Sequence, residues 1–312
     1  MKRINLEECN SGALQKLFDI KETVVFIAEK EFDTSLLKII NEKCRENIQL
    51  SLRPNKNGVS VELLQLIPNI QHLDISPDYE KRLETLKELS CLTNLIELKL
   101  GMYVKGNVSF EPIKHIKSLI SFNFDDRGLE HKSQYEFINQ QQQLEKLQVK
   151  TLDLSIISGK FSLKELRIHS TLKNENLLAE RFPKLKKFHL HGDRSRKEHS
   201  FIQNLSEIED ITINYNSYLT SFPAMKAPEK VKRICMLECY NFADIDSLLN
   251  FENLEMLCLT TYNKKLQITV DDFVKLKRLG KLTTVYTAWG RGETPESIEK
   301  IYKETRWKNS ML

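Results

Sequence analysis

The chain has 312 residues, of which 40% are hydrophobic, and its 47 basic and 43 acidic residues give a net charge of +4. Nucleic-acid-binding modules are usually strongly basic, so this mild charge argues against nucleic acid as a partner. No run is long and apolar enough to cross a bilayer, and the first residues carry acid where a signal peptide needs an apolar run, so we expect no membrane insertion.

The six cysteines are scattered along the sequence. They are Cys9, Cys44, Cys91, Cys235, Cys239 and Cys258. No Cys-x-x-Cys pair and no zinc-ribbon spacing is present. Scattered thiols are typical of a reducing compartment, where disulfides do not persist. We therefore expect a cytoplasmic protein with reduced cysteines.

Residues 1–46 contain one possible strand and one possible helix. The strand is predicted over residues 23–28, and the helical stretch covers residues 32–44, with its apolar side chains on one side. A regular series of apolar segments follows this region. We interpret residues 1–46 as an atypical repeat or cap, because a stacked array would otherwise leave its first apolar end in water.

From residue 47 the same apolar pattern returns many times. In Leu95-x-x-Leu98-x-Leu100 the apolar spacing changes from three to two, as a short strand requires. The middle apolar residues of ten such segments are Leu50, Leu73, Leu98, Phe122, Leu147, Leu166, Phe188, Ile211, Ile234 and Leu257. An eleventh copy is predicted at Leu279-x-x-Leu282, although Thr284 occupies its last apolar position.

These segments resemble the repeats of the leucine-rich repeat family, whose units of about 20–29 residues each give one strand plus a helix or turn. The three-residue apolar step before several strands is similar to the short bacterial or phosphatase-regulator type of repeat. The resemblance implies an α/β fold, a right-handed solenoid with a curved parallel sheet on its concave face and helices or turns on its convex face. It predicts a single domain over residues 1–312, with about ten to eleven repeats over residues 47–285.

Two further features refine this prediction. The family's Asn or Cys, three residues after the last apolar residue of the strand, is matched by Asn216 and Cys239, so we expect an interrupted asparagine ladder. At the end of the chain, the sequence Thr-Pro-Glu at residues 294–296 predicts a helix start, since it combines a capping hydroxyl, an early proline and an acid. This helix and Trp307 would form a C-terminal cap within residues 286–312.

Alternation along each strand predicts which side chains face away from the core. In the middle strands these are basic or titratable, which predicts attraction to an acidic partner surface that strengthens below about pH 6.5. In the later strands several are apolar or soft, which indicates a desolvated contact, although charged side chains can also simply solvate a sheet. The candidate partner-binding residues are Lys146, Gln148, Lys150, Arg167, His169, Lys187, His189, His191, Arg233, Leu237 and Met256.

Three histidines on neighbouring strands raise a metal hypothesis. His169, His189 and His191 could meet a zinc or nickel ion. No acidic or thiolate residue is placed to complete or orient such a site, so we predict no metal and no other cofactor. Cys235 and Cys258 are also predicted neighbours, and we expect two free thiols there.

Aromatic residues follow the strand ends in the C-terminal half. They are Tyr215, Tyr218, Tyr240, Tyr262, Tyr286 and Trp289. They could anchor a partner on one rim or fill the loop interior. We favour packing for Tyr262, because it stands at the position of the family's asparagine, and leave both roles open for the others.

No sequence motif of a common enzyme class is present. The chain lacks a glycine-rich phosphate loop, His-Glu-x-x-His and Gly-x-Ser-x-Gly. The leading hypothesis is a non-enzymatic module that binds another protein through its concave face, as a cytosolic regulator or inhibitor. The alternatives are a structural adaptor in a larger assembly, a toxin-immunity protein, or a metal-binding or enzymatic protein. The oligomeric state is open.

Overall fold

The computed structural model describes residues 1–56, 58–125, 134–194, 196–262, 264–289 and 296–309. The chain forms two compact units. The first comprises Met1–Lys150 and Ile156–Gly159, and the second comprises Thr151–Ser155 and Lys160–Leu312. The single domain over residues 1–312 stays a prediction.

Thirteen strands lie in the described residues, and the described neighbours pair in parallel. Those of the first unit are β1 (Lys2–Asn5), β2 (Val24–Ala28), β3 (Ile48–Leu52), β4 (His72–Ile75), β5 (Glu97–Leu100), β6 (Ser121–Phe124) and β7 (Lys146–Asp153), of which residues 151–153 fall in the second unit. Those of the second unit are β8 (Glu165–Lys173), β9 (Lys187–His191), β10 (Asp210–Asn214), β11 (Arg233–Leu237), β12 (Met256–Thr261) and β13 (Thr284–Trp289).

The ten predicted strand segments are confirmed. Each predicted middle apolar residue lies in a strand and is buried. Within each unit the register places consecutive ones side by side, from Leu50 to Leu147 and from Leu166 to Leu257. The series also extends toward the N-terminus, because Phe26 pairs with Leu50 and Ile4 pairs with Phe26. The strand predicted over residues 23–28 is β2, whereas β1 is a strand that the sequence pattern did not indicate.

The predicted eleventh copy has the wrong register. Leu257 pairs with Val285, so Val285 continues the buried middle row and Leu282 lies three residues before it. The shift arises because this repeat is longer, with Val285 standing 28 residues after Leu257, and it adds the 3₁₀ turn Leu276–Arg278 directly after the helix Val270–Lys275. That helix begins with a capping box in which Thr269 and Asp272 each satisfy a backbone N–H of the other.

Short helices form the opposite side of the coils. The α-helices are α1 (Ser11–Leu17), α2 (Ser35–Glu42), α3 (Leu178–Arg181), α4 (Val270–Lys275) and α5 (Glu296–Thr305). The 3₁₀ turns are Leu6–Glu8, Val61–Leu66, Lys87–Cys91, Glu111–His115, Gln134–Gln140, Leu154–Ile156, Glu175–Leu177, Ser200–Asn204, Pro228–Lys230, Ile245–Leu248 and Leu276–Arg278.

The three-residue apolar step explains why most coils use 3₁₀ turns. A 3₁₀ helix has about three residues per turn, so side chains three apart lie on one side. Leu86, Leu89 and Leu92 have this spacing and are all buried. The N–H of Leu89 donates to the carbonyl of Leu86, and that of Leu92 to the carbonyl of Leu89, at 2.9 and 3.0 Å. The apolar step therefore specifies the turn as well as the core.

Helix α5 packs at the end of the second unit. Ile298 and Ile301 are buried, and the Trp307 ring meets the Phe273 ring of α4 edge-on at 5.8 Å. The Tyr302 hydroxyl donates to the Val285 carbonyl at 2.8 Å. The capping signal predicted at residues 294 and 295 lies outside the described residues.

Candidate functional site

The outward side chains of β8 to β13 form three rows, which we call the second strand face. The first row is Glu165, Lys187, Asp210, Arg233, Met256 and Thr284. The second row is Arg167, His189, Thr212, Cys235, Cys258 and Tyr286. The third row is His191, Asn214, Leu237, Thr260 and Ala288.

The predicted site residues fall into two groups. Lys146, Gln148 and Lys150 lie on β7 in the first unit, where Lys146 is exposed and the other two are half-buried. The other eight lie in the second unit on adjacent strands, and they are Arg167, His169, Lys187, His189, His191, Arg233, Leu237 and Met256. His169 stands beside the third row, with its ring 6.0 Å from the ring of His191. Their part in binding stays a prediction.

Acidic and basic side chains alternate along the first row. Arg167 Nε donates to Glu165 Oε1 at 2.5 Å, and Arg233 Nε lies 3.8 Å from Asp210 Oδ2. Lys187 lies between Glu165 and Asp210 in the register, is exposed, and forms no ion pair within the described ranges. Because two carboxylates interrupt the cations, the face has alternating charges, and an acidic partner surface stays a prediction.

Three polar atoms of this face are buried without a hydrogen-bond partner among the residues described. They are His189 Nε2, Asp210 Oδ1 and Arg233 Nε, on the neighbouring strands β9, β10 and β11. The 3.8 Å between Arg233 and Asp210 is too long for a hydrogen bond. A buried donor or acceptor without a partner costs about 1–3 kcal/mol, so these atoms favour a ligand that supplies the missing bonds.

Burial also controls the titration of this face. Burial, together with the positive charge of Arg167, lowers the pKa of His189 to about 4. Burial lowers the pKa of His191 and raises the pKa of Asp210. The prediction that protonation strengthens binding just below pH 6.5 is therefore wrong for His189.

The later part of the face is less exposed than alternation predicts. Leu237 and Met256 are half-buried, whereas Cys235, Cys258 and Thr260 are buried. The expectation from alternation that these last three face solvent is wrong, because each is at most 8% exposed. Cys235 and Cys258 are register neighbours and free thiols. A hydrogen bond to Cys258 and burial both raise the pKa of Cys235.

The histidines do not assemble as the metal hypothesis requires. His189 pairs in register with Arg167, so a cation stands where the hypothesis needs a third ligand. Across the described part of the chain, no group of three His, Cys, Asp or Glu residues is placed to hold a metal ion. Among the helices in these same ranges, none combines the length and apolar composition needed to span a bilayer.

The tyrosines at the strand ends differ in exposure. Tyr262 is 50% exposed, so the prediction that it packs inside the loop is wrong. The neighbouring Thr261 is buried instead, and its hydroxyl donates to the Lys264 carbonyl at 2.6 Å. Tyr218 is exposed, Tyr215, Tyr240 and Tyr286 are half-buried, and the Trp289 side chain lies outside what the structure describes.

Where the sequence has a matching residue at the family's asparagine position, that side chain is hydrogen-bonded to the backbone. Asn216 is buried, donates to the carbonyls of Asp193 and Arg196, and accepts from two backbone N–H groups of the following turn. Cys239 Sγ lies 3.3 Å from a carbonyl oxygen of β10. Sequence analysis missed Asn55, which also follows its strand by three residues and donates to the Glu29 carbonyl. Its spacing from Leu52 was the available signal.

No protein-family model and no curated protein matches this sequence. Solved structures do match. A leucine-rich-repeat protein of Leptospira interrogans is 19% identical, with 96% of this chain and 74% of that chain covered and a TM-score of 0.53. The functional domain of InlJ from Listeria monocytogenes is 12% identical, with 92% and 68% covered and a TM-score of 0.51.

A third similar structure is TLR13 in a complex with ssRNA13. It is 13% identical, the alignment covers 93% of this chain and 44% of that chain, and the TM-score is 0.50. At such identities the similarity concerns the fold and not the ligand. Parallel strands at repeat spacing, buried apolar rows and these neighbours agree, and the chain has the leucine-rich-repeat fold.

Proposed function

We propose that this chain is a non-enzymatic protein-binding module, a cytosolic regulator or inhibitor of another protein, which holds its partner on the second strand face. The observation that carries the proposal is the set of three buried polar atoms without partners, on His189, Asp210 and Arg233. Polar groups buried in folded proteins are nearly always hydrogen-bonded. Other exceptions among the described residues lie outside the strands, so the clustering of these three on neighbouring strands favours a surface that is completed by a partner.

The chemistry of the three groups describes the complementary surface. Asp210 Oδ1 needs a donor, and Arg233 Nε needs an acceptor. A partner that presents both a donor and an acceptor would supply the missing hydrogen bonds, each of which removes a cost of about 1–3 kcal/mol. The half-buried Leu237 and Met256 adjoin these groups and supply apolar contact area. A polar centre with an apolar neighbour is the composition of many protein interfaces.

The cytosolic location is supported by the state of the cysteines. All six are free thiols, and Cys235 and Cys258 are register neighbours without forming a disulfide. Adjacent free thiols are expected in a reducing compartment. Mass measurement after alkylation without a reductant would test this, since a disulfide in the native protein contradicts a cytosolic location.

The binding proposal is tested by capture of a partner from native lysate with matched variants. Lys187→Glu reverses an exposed charge on the second strand face, and Met256→Asp places a charge in its apolar part. Lys184→Glu is the control, because Lys184 is exposed on the turn just before β9. We expect the wild type and Lys184→Glu to capture the same protein, and the two face variants to capture at least tenfold less.

The result is interpretable only if the variants fold, so their melting temperatures are compared with that of the wild type. Undiminished capture by both folded face variants would contradict binding at this face. Equal loss in the Lys184→Glu control would show that total charge, and not the face, determines capture.

A further inference from the structure

A second feature lies at the edge of the second unit, just past the ends of β9 to β12. It is a cavity of about 250 Å³, which we call the edge pocket. Its lining residues are Arg194, Tyr215, Ser217, Glu238, Tyr240 and Lys264. All six belong to the second unit. None of them lies in a strand, so none is among the strand residues that the sequence predicted to bind a partner.

The backbone of the edge pocket is strained at two lining residues. Tyr215 and Glu238 have φ angles of 59° and 57°, in the left-handed region that favours glycine. Both directly follow a strand, and Gly192 occupies the same place after β9 with a φ of 80°. The N–H groups of Tyr215 and Glu238 each donate to a carbonyl of the next strand at 2.7 Å, which holds them in place.

A non-glycine residue in this conformation costs about 1–3 kcal/mol, and such strain clusters at ligand-binding sites. In the repeat of β9 this position is held by Gly192, so the fold does not require a side chain there. The chain nevertheless holds Tyr215 and Glu238 there, and both side chains line the same cavity. The left-handed conformation thus recurs in three successive repeats, and in two of them the residues that adopt it, Tyr215 and Glu238, line the edge pocket.

Two cations border the edge pocket. Lys264 Nζ lies 3.9 Å from the centre of the Tyr240 ring, and Arg194 Cζ lies 6.0 Å from the centre of the Tyr215 ring. These are cation–π distances, and neither cation forms an ion pair within the ranges that the structure describes. Hydrogen bonds from Ser217 and Lys264, and the charges of Lys264 and Arg194, lower the pKa of Tyr240.

One carboxylate, Glu238, also lines the cavity. Its Oε1 accepts from the backbone N–H of Tyr262 at 2.5 Å, so its position in the wall is fixed. Two cations against one carboxylate leave the edge pocket with one uncompensated positive charge. A singly charged anion balances that charge, whereas a phosphate group with about two negative charges would leave the pocket with a net negative charge.

We propose that the edge pocket binds a carboxylate group between Arg194 and Lys264, and that this carboxylate is an acidic side chain or the C-terminus of the bound protein. The assignment to a protein partner rests on the proposed function. The volume of the edge pocket agrees with this proposal. Pockets for drug-sized ligands have about 300–1,000 Å³, and this smaller pocket suits a single side chain. The Tyr240 hydroxyl can donate to the carboxylate.

The edge pocket adjoins the second strand face. The ring of His191, in the third row of that face, meets the ring of Tyr215 at 4.8 Å. His191 also meets His169 at 6.0 Å. A continuous line of rings therefore joins the strand face to the pocket, so that one partner can occupy both surfaces at once.

The first test uses acetate as the probe and needs no partner. Isotope-labelled protein is titrated with sodium acetate, and separately with sodium phosphate, at constant ionic strength. We expect acetate to shift the NMR signals of the Tyr240 ring and the Glu238 amide in a saturable way. The double variant Arg194→Gln/Lys264→Gln should lose these shifts, and Lys184→Gln, the exposed control, should retain them.

Three results would overturn the proposal: no saturable shift with acetate, tighter binding of phosphate than of acetate, or the same shifts produced by a single-stranded oligonucleotide. The last result would make the tyrosines a stacking platform for nucleic acid. Because no partner takes part, a failure of partner binding at the strand face would leave this test unaffected.

The second test identifies the source of the carboxylate. We expect Arg194→Gln/Lys264→Gln to lower the affinity for the captured partner at least tenfold, and Lys184→Gln to leave it unchanged. Acetate binding with unchanged partner affinity would show that the pocket takes a free small carboxylic acid, and would overturn the assignment to a partner. If Lys187→Glu loses capture and the double variant does not, partner binding at the strand face is supported. The assignment of a partner carboxylate to the edge pocket is then wrong.

Discussion

Glu97 in the first unit and Asp210 in the second occupy the same position in their repeats, one residue before the buried middle residue of the strand. Glu97 lies 3.2 Å from His72 Nδ1 and 3.0 Å from Lys99 Nζ. The hydrogen bond from His72, supported by Lys99, lowers the pKa of Glu97 to about 2. Among the described residues, Asp210 forms one ion pair, with Arg233 at 3.8 Å, and burial raises the pKa of its carboxyl group.

The comparison teaches that the strand residues of the two units differ in how completely their polar groups are paired. Buried polar side-chain atoms without a partner also occur in the first unit, on turns and connecting segments. In the first unit, no described strand residue has a buried polar side-chain atom without a partner. On the second strand face His189, Asp210 and Arg233 each have one. The strands of both units pair in parallel, so the direction of pairing does not cause the difference. The arrangement of charged side chains on neighbouring strands causes it.

The largest effect should come from breaking the buried apolar row of the first unit. Leu98 is fully buried in β5, so Leu98→Asp places a carboxylate in the core. We expect the free energy of unfolding to fall by about 4 kcal/mol or more, or the chain to fail to fold. Urea unfolding followed by circular dichroism measures this. Leu98→Met, which keeps the volume, should cost less than about 1.5 kcal/mol, and equal stability of Leu98→Asp and wild type would show that Leu98 is not inward.

The next effect tests the completed network of the first unit. Glu97 is ionised more readily in the folded state, so it stabilises the fold above its unfolded pKa of about 4.5, and this contribution is lost as the pH falls toward about 2. We expect Glu97→Gln to lower the free energy of unfolding by roughly 1–3 kcal/mol at pH 7. Urea unfolding at pH 7 and at pH 3 checks it, and the loss should be smaller at pH 3. A loss independent of pH would contradict the role of the charge.

A smaller effect concerns the buried histidine of the second strand face. The folded-state pKa of His189 is about 4, below the ordinary 6.5, so the folded state binds this proton more weakly than the unfolded state does. Stability is therefore lost as the pH falls from 6.5 toward 4. We expect His189→Gln to reduce this loss by roughly 1–2 kcal/mol between pH 7 and pH 5.

Chemical unfolding at a series of pH values measures the slope. The matched control is His115→Gln, because His115 is exposed on a turn of the first unit. The control should keep the slope of the wild type. Identical slopes for His189→Gln and wild type would contradict the burial of a neutral His189.

The smallest expected change in the free energy of unfolding concerns Asp210. Its negative charge destabilises the fold, whereas that of Glu97 stabilises it. The pKa of Asp210 is raised, so the folded state binds this proton more tightly, and the charge of Asp210 disfavours folding as the pH rises above its unfolded pKa. We expect Asp210→Asn to leave the free energy of unfolding at pH 7 unchanged or to raise it by up to about 1 kcal/mol. Partner capture should nevertheless fall. A clearly less stable Asp210→Asn would mean that the Arg233 pair stabilises the fold.

The sequence predicted the repeated strands because their signal is local. Leu98 and Phe122 show inward positions by alternation with their own neighbours, and that alternation requires no knowledge of distant residues. Strand β1 was not predicted, because Lys2–Asn5 is short and its residues are at most half-buried. The eleventh strand was misplaced because Leu279 and Leu282 continue the three-residue step of a turn, and only pairing with β12 reveals the register.

Much of the candidate site was also predictable, but its chemistry was not. Alternation indicated that Arg233, Leu237 and Met256 share one face, and the register agrees. It could not indicate that Cys235 and Thr260 are buried. Of the edge pocket, Tyr215 and Tyr240 were named as possible anchors on one rim, whereas the cations Arg194 and Lys264 were missed, because they stand in loops at positions that no repeat pattern specifies.

The sequence by itself determined the repeating apolar rows and hence the parallel strands, because alternation is a property of consecutive residues. Only the tertiary structure decided which polar groups have partners. Asp210 and Arg233 are 23 residues apart along the chain and meet because the register places them on adjacent strands, about 4.8 Å from backbone to backbone. Pairing, burial and pKa depend on such distances across strands, and those distances exist only after the coils have stacked.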